Sequence, residues 1–206
     1  MVVGLGSGST ARLVIEEIGR RLARGELRNV RGVPTSRAAR RDALLSGVPL
    51  TTLDHVARLD LAIDGADEVA PDGTLLKGAG GAFLWEKIVA SRSPRLVIVV
   101  DETKLVERIG ERHPLPIEVA LYGWSTHLEA IRALGSEPAL RVTASGAAYR
   151  TDEGHNIVDA YFPAGIAAPA HIEGVLRARP GVVETGLFVG YSPEIIVGDA
   201  ADGPPN

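Results

Sequence analysis

The sequence predicts an α/β protein in which a mostly parallel sheet, covered by helices on both faces, carries a smaller inserted α+β domain. Three observations favour this fold class. Short apolar runs such as residues 96–100 alternate with amphipathic helical stretches through the first half of the chain. A glycine-serine turn at 6–10 leads from the first strand directly into a helix. Beyond His113 two prolines interrupt the chain, and several short strands then lie between two helices.

The elements follow one another in a regular order along the first half. Predicted strands lie near residues 1–5, 29–33, 49–53, 59–64 and 96–100, and predicted helices near 10–24, 36–45 and 82–92. The inserted domain contains strands near 116–119, 140–143, 148–151 and 157–162. Its first helix is indicated by the capping-box spacing of Thr126 and Glu129, and its second lies near 170–179. We expect the chain to return to the main sheet through 187–189 and 194–197. The domains are therefore predicted as 1–112 with 183–206, and 113–182.

Composition excludes several classes of protein. The 206 residues carry a formal net charge of −4, so the overall balance indicates neither a nucleic-acid nor a membrane partner. The apolar runs are too short to span a bilayer, and the N-terminus lacks the pattern of a signal peptide. We expect a cytoplasmic protein. The absence of cysteine excludes disulfides and thiolate chemistry.

A glycine-serine loop, Ser7 to Thr10, joins the first predicted strand to the first helix. Backbone N–H groups at such a turn point outward, hydroxyls add donors, and the helix dipole favours negative charge. Two interpretations stay open: a phosphate-binding loop, or a capped helix after a tight turn. The loop lacks the lysine of a nucleotide P-loop, and no acidic residue follows at the distance that a ribose requires, so a dinucleotide site is disfavoured.

Asp64 and Asp67 follow the apolar run 59–63. Active sites of open α/β sheets lie at the carboxyl ends of strands, and two carboxylates in one pocket have pKa values that move apart. Acid–base chemistry is one interpretation. Metal binding is another, although no histidine or third carboxylate has convincing ligand spacing.

Lys77 precedes the glycine-rich run 78–81, which opens the next predicted helix. An ammonium beside backbone N–H groups stabilises an oxyanion. On that helix Glu86 has only apolar neighbours three and four positions away. Desolvation on such a face would raise the pKa of the carboxyl toward the range of a general base, whereas a surface ion pair with an arginine is the alternative.

Lysine is rare in this chain. The 22 basic residues include only three lysines, Lys77, Lys87 and Lys104. A lysine retained against that bias indicates a position where a guanidinium cannot replace an ammonium, although chance explains three lysines equally well.

Three polar clusters, at 7–10, 64–77 and 101–104, each follow a predicted strand, and they converge at one edge of the sheet if those strands are parallel neighbours. The histidines show no metal-ligand spacing, and we interpret them as surface or structural.

Six motifs resemble those of the ribose-5-phosphate isomerase type A family: GLGSGST at 4–10, DGADEV at 64–69, KGAGGAFLWEK at 77–87, VVDETK at 99–104, PLPIEV at 114–119 and PGVVETGLF at 180–188. They occur in the family's order over nearly the whole chain. The resemblance implies a Rossmann-like α/β domain with a small α+β domain. It also implies an enzyme that interconverts ribose 5-phosphate and ribulose 5-phosphate without metal or organic cofactor, as a homodimer or homotetramer.

The resemblance also assigns roles to individual positions. It implies that Glu86 is the proton-transferring base of a cis-enediolate mechanism and that Asp64 and Asp67 are the paired catalytic aspartates. Lys77 would stabilise the intermediate. The positions implied in binding the substrate and its phosphate are Ser7, Gly8, Ser9, Thr10, Gly65, Ala66, Gly78, Ala79, Gly80 and Lys104.

Three features depart from the family pattern. The family carries a helix before the first strand, with a lysine near the phosphate, whereas Met1 here lies on the strand. Either the true start lies upstream, or the phosphate site is weaker and an edge of the sheet is uncovered. Ala79 replaces a glycine of the lysine-glycine motif, and Trp85 replaces an arginine before Glu86.

Two other functions stay open at this point. One is a non-catalytic sugar-phosphate sensor, and the other is an acyl-CoA transferase-like enzyme that uses a glutamate nucleophile. The retained Glu86 and the absence of a DNA-binding segment disfavour the sensor. The hydroxyl-rich loop and the lysines fit a sugar phosphate better than a thioester.

Overall fold

The computed structural model describes residues 1–198. In that range the α-helices are α1 (Ser9–Ala23), α2 (Arg37–Leu45), α3 (Phe83–Ser91), α4 (His127–Ala133) and α5 (Pro169–Arg177). The strands are β1 (Val2–Leu5), β2 (Arg31–Pro34), β3 (Leu61–Asp64), β4 (Glu68–Val69), β5 (Leu75–Leu76), β6 (Leu96–Asp101), β7 (Leu115–Val119), β8 (Glu137–Leu140), β9 (Asn156–Tyr161), β10 (Val182–Thr185), β11 (Leu187–Phe188) and β12 (Glu194–Gly198). None of these helices is both long and apolar enough to cross a bilayer.

The chain divides into two compact units. Unit 1 contains Met1–Ala66, Trp85–Thr103 and the strand that follows Tyr191, and unit 2 contains Asp67–Leu84 and Lys104–Gly190. The predicted boundaries at 112/113 and 182/183 differ from this division. β4, β5 and β11 pair with one another, and the N–H groups of Val106 and Gly186 donate to the carbonyls of Val69 and Pro116 within unit 2. Residues 199–206, the end of the predicted main domain, lie outside the described residues.

Unit 1 is built on a five-stranded parallel sheet with the order β12-β6-β3-β1-β2. Side chains on neighbouring positions of β1 point to opposite faces. Val3 and Leu5 pack with Ile15 of α1 and Ala43 of α2, whereas a side chain at Gly4 would meet Val89 of α3. Helices therefore cover both faces of a parallel sheet, and the predicted fold class is confirmed.

Unit 2 contains two antiparallel sheets, one with the order β10-β7-β9-β8 and one with the order β11-β5-β4. Its core includes Leu115 and Ile117 of β7, Val158 of β9, Ile131 of α4 and Leu176 of α5. Alternate residues of β7 thus face this core, and the intervening Pro116 and Glu118 point to the other side of the sheet.

Three predictions about strands were wrong. Leu187–Phe188 pairs with β5 instead of the main sheet, because a two-residue apolar run carries no information about its partner. Residues 148–151 form a single bridge, between Ala148 and Val142. Residues 49–53 also form one bridge, from Leu50 to Gly32, because Pro49 has no N–H to extend a ladder.

Candidate functional site

The carboxyl ends of three adjacent parallel strands carry the polar clusters of unit 1. In the sheet β1 lies beside β3, and β3 lies beside β6. Ser7 follows the end of β1, Asp64 ends β3 and Asp101 ends β6. The prediction that these strands are parallel neighbours is confirmed, and their polar ends lie at the same edge of the sheet.

Asp64 links the end of β3 to the glycine-serine loop. Its carboxylate is buried, and Oδ1 accepts hydrogen bonds from the N–H groups of Ser7 at 3.1 Å and Gly65 at 2.8 Å. A side chain at Gly6 would collide with the Asp64 carboxylate, so only glycine permits this approach. The structure thus brings Ser7, Asp64 and Gly65 together, and Asp64 also fixes the shape of the loop.

The hydroxyls of the glycine-serine loop differ in what they contact. The Ser7 hydroxyl donates to Ser36 Oγ at 2.7 Å and lies 2.8 Å from the hydroxyl of Thr35, which anchors the loop to the turn after β2. Ser9 is exposed and Thr10 is partly exposed in the first turn of α1. Among the described residues no side chain caps this helix at Gly8. Its first-turn N–H groups and the hydroxyls of Ser9 and Thr10 therefore lie at the N-terminus of α1, whereas Ser7 anchors the loop.

Glu86 lies in the first turn of α3 and is 6% exposed. Its neighbours Phe83, Val89 and Ala90 are buried as well, so the apolar face that the sequence predicts is confirmed. This burial disfavours the surface position that the alternative, an ion pair with an arginine at the helix surface, requires. Trp85, the residue before it, lines an apolar groove of unit 1 with Ile88 and Leu53.

The lysine-glycine loop, residues 77–81, lies in unit 2. Lys77 is 4% exposed, its N–H donates to the carbonyl of Gly186 at 2.9 Å, and Nζ lies 5.6 Å from the centroid of the Phe188 ring. Gly78 has a φ of 113°, and a side chain there would meet Phe83 and Pro116. Backbone geometry and packing therefore both require glycine at position 78.

Asp67 contacts this loop directly. Its Oδ2 accepts the N–H of Ala79 at 2.9 Å, and its own N–H donates to the carbonyl of Leu76. Position 79 tolerates alanine because its side chain is exposed. Gly65 and Ala66 belong to unit 1, and Lys104 ends a 3-10 turn, Glu102–Lys104.

Sequence reasoning missed two residues that hold the loop. Arg141 Nη1 donates to the carbonyls of Gly78 at 2.8 Å and Ala79 at 3.0 Å, and the Tyr149 hydroxyl donates to the carbonyl of Gly80 at 3.0 Å. Neither residue lies in a motif that the sequence singles out. The sequence shows a glycine-rich run whose carbonyls need hydrogen-bond donors. It does not show which residues supply those donors.

Two histidines lie beside buried carboxylates of unit 2. His113 Nδ1 lies 3.3 Å from Glu68, and His155 Nδ1 lies 2.8 Å from Glu118. Burial raises the pKa of Glu118, although hydrogen bonds from His155 and Thr151 oppose this shift. Within residues 1–198, no three His, Cys, Asp or Glu side chains are placed to hold a metal ion.

Comparison with known proteins gives the family. The family model for ribose 5-phosphate isomerase A (phosphoriboisomerase A) matches residues 31–202. The chain belongs to this family. It is 47% identical to ribose-5-phosphate isomerase A of Thermosynechococcus vestitus over 206 residues, which is 100% of this chain and 87% of that protein. It is 50% identical to the protein of the same name from Gloeobacter violaceus over 97% of this chain and 85% of that one.

Solved structures of ribose 5-phosphate isomerases have the same fold. A D-ribose-5-phosphate isomerase in complex with phospho-erythronic acid is 39% identical, with a TM-score of 0.94 over 98% of this chain and 88% of that one. Ribose 5-phosphate isomerase A of Methanocaldococcus jannaschii is 37% identical, with a TM-score of 0.90 over 99% of this chain and 89% of that one.

Proposed function

We propose that this member of the ribose 5-phosphate isomerase A family interconverts D-ribose 5-phosphate and D-ribulose 5-phosphate through a cis-enediolate. The burial of Glu86 carries the proposal, because a carboxylate with restricted access to water is the general base that the reaction needs. The family assignment supplies the substrate, since its members are named for this isomerisation.

The reaction needs one carbon-bound proton to move. Glu86 takes the proton from C2 of the open-chain aldehyde, and the electrons of that C–H bond form a C1–C2 double bond while the carbonyl oxygen becomes an oxyanion. A proton then passes between the two oxygens, and Glu86 returns its proton to C1, which leaves the ketone at C2. The isomerisation therefore has no net gain or loss of atoms or electrons, although the proton held by Glu86 can exchange with solvent.

The other predicted residues divide the remaining tasks. Asp64, held by the N–H groups of Ser7 and Gly65, assists opening of the sugar ring. Lys77 and the N–H groups of the lysine-glycine loop stabilise the oxyanion, with Asp67 fixing the loop through Ala79.

Phosphate recognition is assigned to the first turn of α1. Its N–H groups and the hydroxyls of Ser9 and Thr10 supply hydrogen bonds to the phosphate. Lys104 stays a predicted substrate-binding residue. The solved isomerase with phospho-erythronic acid supports a phosphorylated ligand, because that molecule combines a phosphate with a sugar-acid chain. The homodimer or homotetramer and the cytoplasmic address stay predictions.

The direct test is conversion of substrate by the purified protein. We expect ribose 5-phosphate to be converted to a ketose, whose formation is measured by its absorbance. The rate should be the same with and without EDTA. A sensor would bind the sugar phosphate without converting it, and an acyl-CoA transferase would act only on thioesters. Absence of ketose under conditions where the Thermosynechococcus relative is active would contradict the proposal.

The phosphate assignment predicts an effect on KM. Replacing Ser9 and Thr10 together by alanine should raise KM for ribose 5-phosphate about 10-fold to 100-fold and leave kcat nearly unchanged, because hydrogen bonds to a charged group are lost in ground and transition states alike. The matched control replaces Ser125 and Thr126, an exposed pair in unit 2. An unchanged KM in the Ser9 and Thr10 double variant would place the phosphate elsewhere.

A further inference from the structure

Arg141 contacts both a carboxylate and the lysine-glycine loop. Nε and Nη2 donate to the two oxygens of Asp159 at 2.8 and 2.5 Å, and Nη1 donates to the carbonyls of Gly78 and Ala79. The side chains of Arg141 and Asp159 are 13% and 22% exposed, so this paired arrangement is shielded from water. All three guanidinium nitrogens are thus engaged, and Asp159 balances their charge. Arg141 therefore orients the loop through directed hydrogen bonds to its carbonyls, and it is not an unpaired cation.

Tyr149 extends the same support. Its hydroxyl donates to the carbonyl of Gly80, its ring lies 5.7 Å from the guanidinium carbon of Arg141, and its N–H donates to the Arg141 carbonyl at 2.9 Å. A side chain at Gly81 would collide with the Tyr149 ring. Burial raises the pKa of Tyr149 above its ordinary value. Three consecutive carbonyls of the loop are therefore held from one side by two side chains.

Holding the carbonyls also fixes the direction of the N–H groups, because the C=O and N–H of a trans peptide point in opposite directions. The peptide between Gly78 and Ala79 shows this: its carbonyl accepts from Arg141 and its N–H donates to Asp67. The next peptide has its carbonyl on Arg141 as well, so the N–H of Gly80 points away from Arg141. Among residues 1–198 that N–H has no acceptor.

We propose that Arg141 and Tyr149 are positioning residues that orient the lysine-glycine loop so that the Gly80 N–H stabilises the oxyanion of the isomerisation. The inference rests on the proposed function and deepens it, because it adds a support on the side of the loop opposite Asp67. The carbonyls of Gly78, Ala79 and Gly80 each have a side-chain donor, although Ala79 and Gly80 are exposed.

The test combines kinetics with a readout of the loop itself. Arg141→Lys keeps the positive charge, but an ammonium cannot bond Asp159 and the loop carbonyls with the planar geometry of a guanidinium. Tyr149→Phe removes one hydroxyl. We expect Arg141→Lys to lower kcat about 10-fold to 100-fold, since small misplacements of a catalytic group have effects of this size. We expect Tyr149→Phe to lower kcat about 2-fold to 10-fold. KM for ribose 5-phosphate and inhibition by inorganic phosphate should stay within about 2-fold of wild type, because those report uniform binding.

Two further measurements separate positioning from general structure. Hydrogen exchange of peptides covering residues 77–86 should be faster in Arg141→Lys, and inhibition by phospho-erythronate, whose carboxylate resembles the enediolate oxygens, should weaken in step with kcat. The control is Arg177→Lys, an exposed arginine of the same unit that lies near Glu184, which should match wild type throughout.

Wild-type kcat in both variants would overturn the inference, and so would a loss confined to KM or a loss of kcat without faster loop exchange. If Arg141→Lys does not fold, Tyr149→Phe decides. Failure of the wild-type chain to convert ribose 5-phosphate would overturn the proposed function and the catalytic part of this inference together. The exchange measurement, which needs no substrate, would then show separately whether Arg141 holds the loop.

Discussion

The Glu86→Gln variant is expected to lose about 10²–10⁴-fold in kcat, because an amide cannot accept the C2 proton at neutral pH. Glutamine has nearly the same shape as glutamate, so the packing of α3 around this buried position should be kept. KM and inhibition by inorganic phosphate should stay close to wild type, since Glu86 is not among the groups assigned to the phosphate. The loss then falls on the chemical step.

The measurement has a direct chemical readout. With wild-type protein in D₂O, ribose 5-phosphate should exchange its C2 hydrogen for deuterium while ketose forms, and Glu86→Gln should slow both by the same factor. Glu16→Gln, an exposed glutamate on α1, is the matched control and should behave as wild type. Wild-type-like turnover or C2 exchange in Glu86→Gln would rule out Glu86 as the base.

Glu86 shows what sequence reasoning can predict. Helical neighbours at three and four positions lie on the same face, so apolar residues at those positions indicate a buried carboxyl from local spacing alone. The position of Asp64 could be predicted in the same way, because an apolar run that ends in an acid predicts a buried strand with a carboxylate at its end. Both inferences need only a short window of sequence.

Contacts between distant parts of the chain lie outside such a window. Arg141 and Tyr149 reach the glycine loop across 63 and 69 positions, and nothing in the run 77–81 encodes which residues supply the donors. Ser7 illustrates a related limit. From the sequence, its hydroxyl is predicted to bind phosphate. In the structure the hydroxyl contacts Thr35 and Ser36, some 28 positions away, and anchors the loop.

Glu68 is another residue whose role only the structure shows. It lies inside the DGADEV motif between residues with proposed chemistry, yet it is 0% exposed in unit 2. Its carboxylate accepts N–H groups of Gly110 at 2.5 Å and of Arg112 and His113 at 2.7 Å each. It therefore fixes the segment 110–113, which leads into β7, in a conformation without regular secondary structure.

Removing this carboxylate is expected to lower the free energy of unfolding of unit 2 by about 3–4 kcal/mol in Glu68→Ala, because three N–H groups lose a charged acceptor and the most buried of them has no water to replace it. Glu68→Gln keeps one accepting oxygen but turns an NH₂ toward an N–H donor, so its loss should be intermediate, about 1–2 kcal/mol. The matched control is Glu111→Ala, an exposed carboxylate in the same segment, which should stay within about 0.5 kcal/mol of wild type.

The chain offers a reporter for unit 2 alone. Its two tryptophans are Trp85 in unit 1 and Trp124, which packs against the core of unit 2. In a Trp85→Phe background, urea unfolding followed by Trp124 fluorescence therefore measures unit 2 in the full chain. An unfolding free energy for Glu68→Ala within about 1 kcal/mol of its background would show that water replaces the carboxylate. A graded series from Glu111→Ala through Glu68→Gln to Glu68→Ala would instead establish that Glu68 stabilises unit 2 through its contacts with the segment 110–113.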